Sequence, residues 1–272
     1  MTKLGLGSYG VAWGIGVHGY AQPENPITPM GLLEFARSLG LQLVQYADNL
    51  PLDALDPQAR KALCDRASAS GISIEVGTRG IATDHLRTYM EIAHYFGSPI
   101  LRVVVDTAAH HPDPAEVIDL VGAVLPDLHS AGITLAIENH DRFKATALAD
   151  IMRTLDDPHV GICLDTVNSF GALEGPDVVV AALGPFVVNL HLKEFVVRRA
   201  PHNMGFEVTG APAGQGMLDI PRLLNSLRAF GRSFNAVIET WLPPQATMQA
   251  TIDTERDWVS QSVGYLRALI TD

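Results

Sequence analysis

No run of about eighteen apolar residues occurs in this sequence, so no membrane-spanning helix is expected. The longest apolar stretch, Val178 to Leu192, is broken by Gly184, Pro185, Asn189 and His191. Cysteine is scarce: Cys64 and Cys163 stand far apart and form neither a disulfide framework nor a zinc-ribbon spacing, which fits a reduced, cytoplasmic protein. Positive charge is also short, with 19 Lys and Arg against 30 Asp and Glu, a formal net charge of −11. No basic cluster exceeds Arg198-Arg199, which speaks against nucleic acid or an anionic membrane surface as partner. The N-terminus carries one lysine and many glycines but no clear small-residue cleavage site, so no secretory signal is expected. There is no low-complexity linker and no shift in composition, so residues 1–272 read as a single domain.

What the sequence does hold is alternation. Short runs rich in Val, Ile and Leu fall at 3–8, 41–47, 72–77, 100–105, 133–138, 160–165, 186–192 and 234–239. Helical periodicity occupies 29–39, 57–70, 85–96, 114–131, 146–156, 175–183, 219–230 and 255–270, and several of these helices close on glycine, including Gly71, Gly97, Gly132 and Gly184. Strict alternation means parallel strands joined by crossover helices. Eight such units in 272 residues predict a closed (β/α)8 TIM barrel of the α/β class. The stretch from Val196 to Gly216 is expected to be a long irregular loop.

Barrel enzymes place their chemistry at the carboxyl ends of the strands. Four consecutive predicted strands end there in a strong ligand: Glu138 in AIENHD, Asp165 in GICLDTVNS, His191 in VVNLHLKEF and Glu239 in NAVIETW. Any one of these alone would be a solvated carboxylate or a satisfied core histidine. Together they point to one site. Residues two apart share a face of a strand, so His140, Lys193 and Trp241 should lie just above Glu138, His191 and Glu239. Three carboxylates crowded at one mouth need protonation or a cation. Three oxygens and an imidazole suit one divalent metal ion, manganese first, with magnesium, cobalt and zinc also acceptable. Two coordination positions would stay open for adjacent oxygens of a hydroxy-ketone.

The segments IENH, CLDTVNS, HLKE, AGQGMLDI and VIET resemble the xylose-isomerase-like TIM barrels, the sugar phosphate isomerase/epimerase group that also includes endonuclease IV. The resemblance implies that Glu138, Asp165, His191 and Glu239 bind the metal and that Glu138 and Glu239 are the catalytic acid–base pair. Three positions depart from the family pattern. Asn168 replaces a histidine, Val197 stands where an arginine is usual (Arg198 is next to it), and Glu194 replaces an aspartate. The DTVNS form and the opening YGVAWGIG look more like members acting on keto-sugar acids, among them a decarboxylase of 3-oxo-isoapionate.

The expected function is therefore a metal-dependent isomerase or epimerase of a keto-sugar or sugar acid, working through a metal-stabilised enediolate. The alternative on the same scaffold is a lyase, either a decarboxylase of a 3-oxo sugar acid or a dehydratase. A sugar-binding barrel without chemistry and an abasic-site endonuclease stand further off, the latter against the acidic charge. Substrate contacts are expected from His140, Asn168, Lys193 and Trp13, with Asn49, Arg79 and His202 as weaker candidates. The partner is a small sugar or sugar acid, and a homo-oligomer is left open. GLGSYG matches GxGxxG, but with only four residues before it and no good helix after it, a dinucleotide loop is not expected. Cys163 reads as packing, and the AGQG glycines as either a tight turn or a phosphate site.

Overall fold

The computed structural model describes residues 2–270. In chain order the strands are β1 (Leu4–Gly7), β2 (Leu43–Tyr46), β3 (Ser73–Arg79), β4 (Ile100–Val104), β5 (Thr134–Glu138), β6 (Val160–Asp165), β7 (Val187–Leu192), β8 (Glu194–Arg199), β9 (Phe206–Ala211) and β10 (Asn235–Ile238). Eight of them close into a parallel barrel in the order β1-β10-β7-β6-β5-β4-β3-β2. This is the (β/α)8 barrel expected from the alternation. The helices are α1 (Ala12–Ile15), α2 (Pro29–Ser38), α3 (Pro57–Ser70), α4 (Thr83–Phe96), α5 (Pro114–Gly122), α6 (Leu125–Ala131), α7 (Ala145–Leu155), α8 (Pro176–Leu183), α9 (Ile220–Ala229) and α10 (Met248–Leu266).

Helix starts follow side-chain chemistry. Asp56, Asp113 and Asp219 each accept the backbone N–H three residues on, and a proline sits in the first turn, where its missing N–H costs nothing. Thr247 caps α10 in the same way through the Ala250 N–H, so that helix begins at Met248 rather than near 255. The expected helix over 114–131 is two helices: Pro126 lies in the first turn of α6, and the chain breaks after Gly122. Gly71, Gly97 and Gly132 close their helices in the left-handed region, at φ of 67°, 66° and 67°. Gly184 does not: its φ is −48°, and the room it leaves is taken by the Phe230 ring, 2.4 Å from where a Cβ would stand.

The segment after β7 is also more ordered than expected. β8 and β9 pair antiparallel from Glu194↔Ala211 to Arg199↔Phe206, forming a two-stranded hairpin outside the barrel. Glu194 anchors its base, with Oε1 accepting from the N–H groups of Phe195 and Leu218 and Oε2 from that of Gly214. The AGQG glycines therefore include a turn residue, Gly214, at φ +79°. Gly5 and Gly7 of GLGSYG belong to β1, and the next turn is a short 3-10 helix, Ser8–Val11.

The apolar core lies between the strands and the helix ring, where Leu6, Leu33, Val44, Leu101, Leu135 and Leu224 are all buried. The barrel interior is different. Alternation sends inward Gln45, Glu75, Arg102, Glu138, Cys163, Asp165, Asn189, His191 and Asn235, and each of these except Asn235 is fully buried. An interior this polar must satisfy itself by hydrogen bonds and ion pairs, since an unpaired polar group there costs about 1–3 kcal/mol.

Candidate functional site

Glu138, Asp165 and His191 project from the ends of β5, β6 and β7, and Glu239 follows β10 directly. Parallel pairing puts Asp165 beside His191, because the β6–β7 register shifts by one residue between Ile162 and Cys163. The four side chains converge. His191 Nδ1 lies 3.2 Å from Glu138 Oε2, 3.4 Å from Glu239 Oε1 and 3.9 Å from Asp165 Oδ2. All four residues are buried.

Asp165 and His191 are each held by neighbours that leave one side free. Asp165 Oδ1 accepts from the N–H groups of Val167 and Asn168, both at 2.8 Å, so Oδ2 faces the cluster. His191 Nε2 donates to Gln45 Oε1 at 2.7 Å, so Nδ1 faces it too. Among the described residues, Asp165 Oδ2, His191 Nδ1 and both Glu239 oxygens are buried without a hydrogen-bond partner. Buried orphans are rare, and these four line a cluster of a kind that could hold a cation. Ligand atoms of Asp165, His191 and Glu239 lie within 4.8 Å of one another, as do those of Glu138, Cys163 and His191. That spacing fits ligands around a single divalent ion at about 2.0–2.5 Å each. Burial pushes the Cys163 thiol up to about 11, and Sγ points at Asn189 Oδ1, so Cys163 acts as a neutral lining group beneath the cluster.

Two cations share the space. Lys193 Nζ lies 2.9 Å from Asp165 Oδ2 and 3.0 Å from Glu239 Oε2, within ion-pair reach but off the hydrogen-bonding direction. Burial alone would lower its pKa, but Asp165, Glu239 and Glu138 hold it well above the usual lysine value. Arg102, 2% exposed on β4, donates through Nε to Glu138 Oε2 and through Nη1 to Asp48 Oδ1. Asp48 in turn accepts from Arg79 Nε and the Tyr9 hydroxyl. Burial raises the Glu138 carboxyl, but Arg102 and His191 outweigh it and hold Glu138 well below the ordinary carboxylate range. Its other oxygen, Oε1, accepts from Asn168 Nδ2 at 2.7 Å.

The sequence-predicted residues sort clearly. Glu138, Asp165, His191, Glu239, Lys193 and Asn168 meet, and Asn168 bridges Glu138 to Lys193 through its Oδ1. His140 instead turns to Asp141 Oδ1, a half-exposed pairing at the rim. Trp13 packs with Leu242 and Ile252, and its indole N–H donates to Leu242 O. Trp241 Nε1 donates to Glu194 O at the base of the hairpin. The strand ending IENHD thus has a division of labour. Glu138 enters the barrel, while Asn139 is fully buried and clamps both the N–H and the carbonyl of Asp165. Sequence reading missed Arg102, Asp48 and Gln45. A signal existed: a charged or amide residue in the middle of an apolar strand, as in ILRVV and LVQY.

The family model for the xylose isomerase-like TIM barrel matches residues 33–269. The chain is 34% identical over 263 residues to a 3-oxo-isoapionate decarboxylase from Pectobacterium atrosepticum, spanning 97% of this chain and 94% of that protein. Solved structures with the same fold include a D-psicose 3-epimerase with D-tagatose from Clostridium cellulolyticum H10, at a TM-score of 0.72, 15% identity and complete coverage of both chains. Another is a xylose isomerase-like TIM barrel protein from Mycobacterium smegmatis in complex with magnesium, at a TM-score of 0.68, 16% identity and 97% coverage of each chain. With a closed eight-stranded barrel, acidic and imidazole side chains converging at its mouth and a family match over most of its length, this chain belongs to the xylose isomerase-like TIM barrel family.

Proposed function

We propose that the protein is a carboxy-lyase that removes the carboxylate of a 3-oxo sugar acid as CO2. The observation that carries this reading is the asymmetry of the two glutamates. Both oxygens of Glu138 are engaged, by Arg102 and Asn168, whereas neither oxygen of Glu239 holds a hydrogen bond among the described residues. Epimerisation needs proton carriers on two faces of the substrate carbon. Loss of CO2 needs a single proton returned to the carbon that the carboxylate leaves. One carboxylate without hydrogen bonds suits the second reaction, and the full-length similarity to a 3-oxo-isoapionate decarboxylase supports it.

In this reading Glu138, Asp165, His191 and Glu239 hold the divalent ion. When bound, it supplies positive charge beside the substrate carbonyl and lowers the cost of the negative charge left there as the C–C bond breaks. Lys193, at the open side of the cluster, stays charged, orients substrate oxygen atoms and balances the Glu239 carboxylate across their 3.0 Å contact. Glu239 passes a proton taken from solvent to the carbon that loses CO2. Arg102 keeps Glu138 ionised and fixed.

The test is turnover of 3-oxo-isoapionate and related 3-oxo sugar acids in D2O with Mn2+ or Mg2+ present. The expected result is one CO2 per substrate and one deuterium in the ketose product. Substrate C–H exchange without CO2 would establish an isomerase or epimerase instead. Substrate binding with neither exchange nor CO2 would leave a sugar-binding barrel.

Proton competition gives a second check. Burial opposes charge on His191, but the carboxylates of Glu239 and Glu138 raise its pKa well above the ordinary imidazole value. The ion and a proton therefore contend for Nδ1, and binding of the ion expels the proton. Apparent Mn2+ affinity is expected to fall as pH is lowered from about 8 to about 6, with roughly one proton released per ion at neutral pH. Calorimetry in buffers of differing ionisation enthalpy reads both quantities, and an affinity flat across that range would contradict the assignment of His191 as a ligand.

A further inference from the structure

Glu75, 1% exposed on β3, is a carboxylate inside the barrel with no ion-pair partner among the described residues. Three amide groups surround it. Gln45 Nε2 donates to Oε2 at 3.0 Å, Asn189 Nδ2 to Oε2 at 2.8 Å and Asn235 Nδ2 to Oε1 at 2.7 Å. An ionised carboxylate only accepts, so each amide must turn its NH2 toward it. For Asn235 a second contact requires the same orientation, because its Oδ1 accepts from the Lys3 backbone N–H at 3.0 Å, and that donor has no alternative role. Gln45, with its NH2 spent on Glu75 and on Asn189 Oδ1, is left presenting Oε1 to His191. A neutral imidazole carries one N–H, and an acceptor beside Nε2 holds it there. The lone pair is then on Nδ1, which faces Glu138, Asp165 and Glu239.

We infer that Glu75 and Gln45 are positioning residues that select the Nε2–H tautomer of His191 and so aim its Nδ1 lone pair at the divalent ion. The relay runs from the Lys3 backbone through Asn235, Glu75 and Gln45 to His191, one hydrogen bond per step. Neither Glu75 nor Gln45 is a ligand, and the inference rests on reading residues 138, 165, 191 and 239 as the cation site. Replacing Glu75 by Gln releases the constraint, since a neutral amide can meet Gln45 with its own NH2 and let Gln45 rotate its NH2 toward His191. That rotation favours the Nδ1–H tautomer and puts a hydrogen where the ion should bind.

The test uses the full chain, labelled with 15N-histidine and loaded with diamagnetic Zn2+. Long-range 1H–15N correlation reports the tautomer, His191→Gln identifies the signal, and calorimetry with Zn2+ and Mn2+ reports affinity. The wild type is expected to show Nε2–H at His191. Glu75→Gln should show Nδ1–H or a mixture and a loss of ion affinity of about 10- to 100-fold, the usual consequence of removing a partner behind a ligand. Gln45→Leu removes the acceptor directly and should give the same loss. An Nδ1–H signal in the wild type would overturn the relay, even if neither variant folded. So would wild-type tautomer and affinity in a folded Glu75→Gln. A wild type that binds no divalent ion would refute the cation site itself, a separate outcome.

Discussion

Replacing Arg102 by methionine is expected to destabilise the protein by about 3–5 kcal/mol at neutral pH, the cost of stranding a buried charge whose partner is gone. Arg102 is buried on both sides, by Glu138 at the site and by Asp48 toward the rim, and it also reaches Thr78 O. Methionine fills similar space, so lost packing contributes little. The pH dependence gives the sign. In the wild type, Arg102 and His191 hold Glu138 below the usual carboxylate range, so this contribution is present above the unfolded pKa, about 4.3, and is lost as pH falls through the lower folded value. In the variant, burial of Glu138 loses its strongest opponent and its carboxyl moves up, so protonation relieves the strain. The stability gap should therefore be widest near pH 7 and narrow below about pH 4. Urea unfolding at both pH values, with chelator present, reads it. A gap under about 1 kcal/mol at pH 7, or one that does not change with pH, would mean that Arg102 is not the counter-charge the barrel relies on.

Glu239→Gln is expected to leave the fold intact and to lower turnover by about 10²- to 10⁴-fold, the usual range for losing a positioned proton carrier. Glutamine has the same shape, and the site is tight: a Cβ on Gly7 would stand 3.1 Å from the Glu239 carboxylate. The amide can neither carry the proton nor balance Lys193, which lies 3.0 Å from Oε2. The substitution also removes an anionic ligand, so turnover must be compared at saturating divalent ion, with affinity measured in parallel. Loss that persists at saturation assigns the proton to Glu239. Recovery at saturation would reduce the residue to a ligand, and full activity would end the acid–base assignment altogether.

The residues behind these two predictions differ in how they could be found. Glu239 was legible because it closes an apolar run at a strand's carboxyl end, where a barrel must place its chemistry. Arg102 was not. It sits inside ILRVV, two residues before the strand ends, and reads there as an odd charge in a core segment. The hairpin of β8 and β9 was missed for a similar reason. Its register is set by Glu194 gathering three backbone N–H groups from 195, 214 and 218, and no local pattern announces that.

From sequence alone came the eight alternating units, and with them the barrel and the four residues at or just beyond the carboxyl ends of β5, β6, β7 and β10. Both signals are local: periodicity of 2 or 3.6, and the last side chain of an apolar run. Only the tertiary structure decided how Glu138 is tied, which carboxylate is left without hydrogen bonds, and how Gln45, Glu75, Asn189 and Asn235 join beneath the site. The hydrogen bonds linking those four span 30, 114, 144 and 160 residues of sequence. Closing the barrel brings β2 and β3 across the axis from β7 and β10, and polar side chains that look isolated along the chain become one another's hydrogen-bond partners.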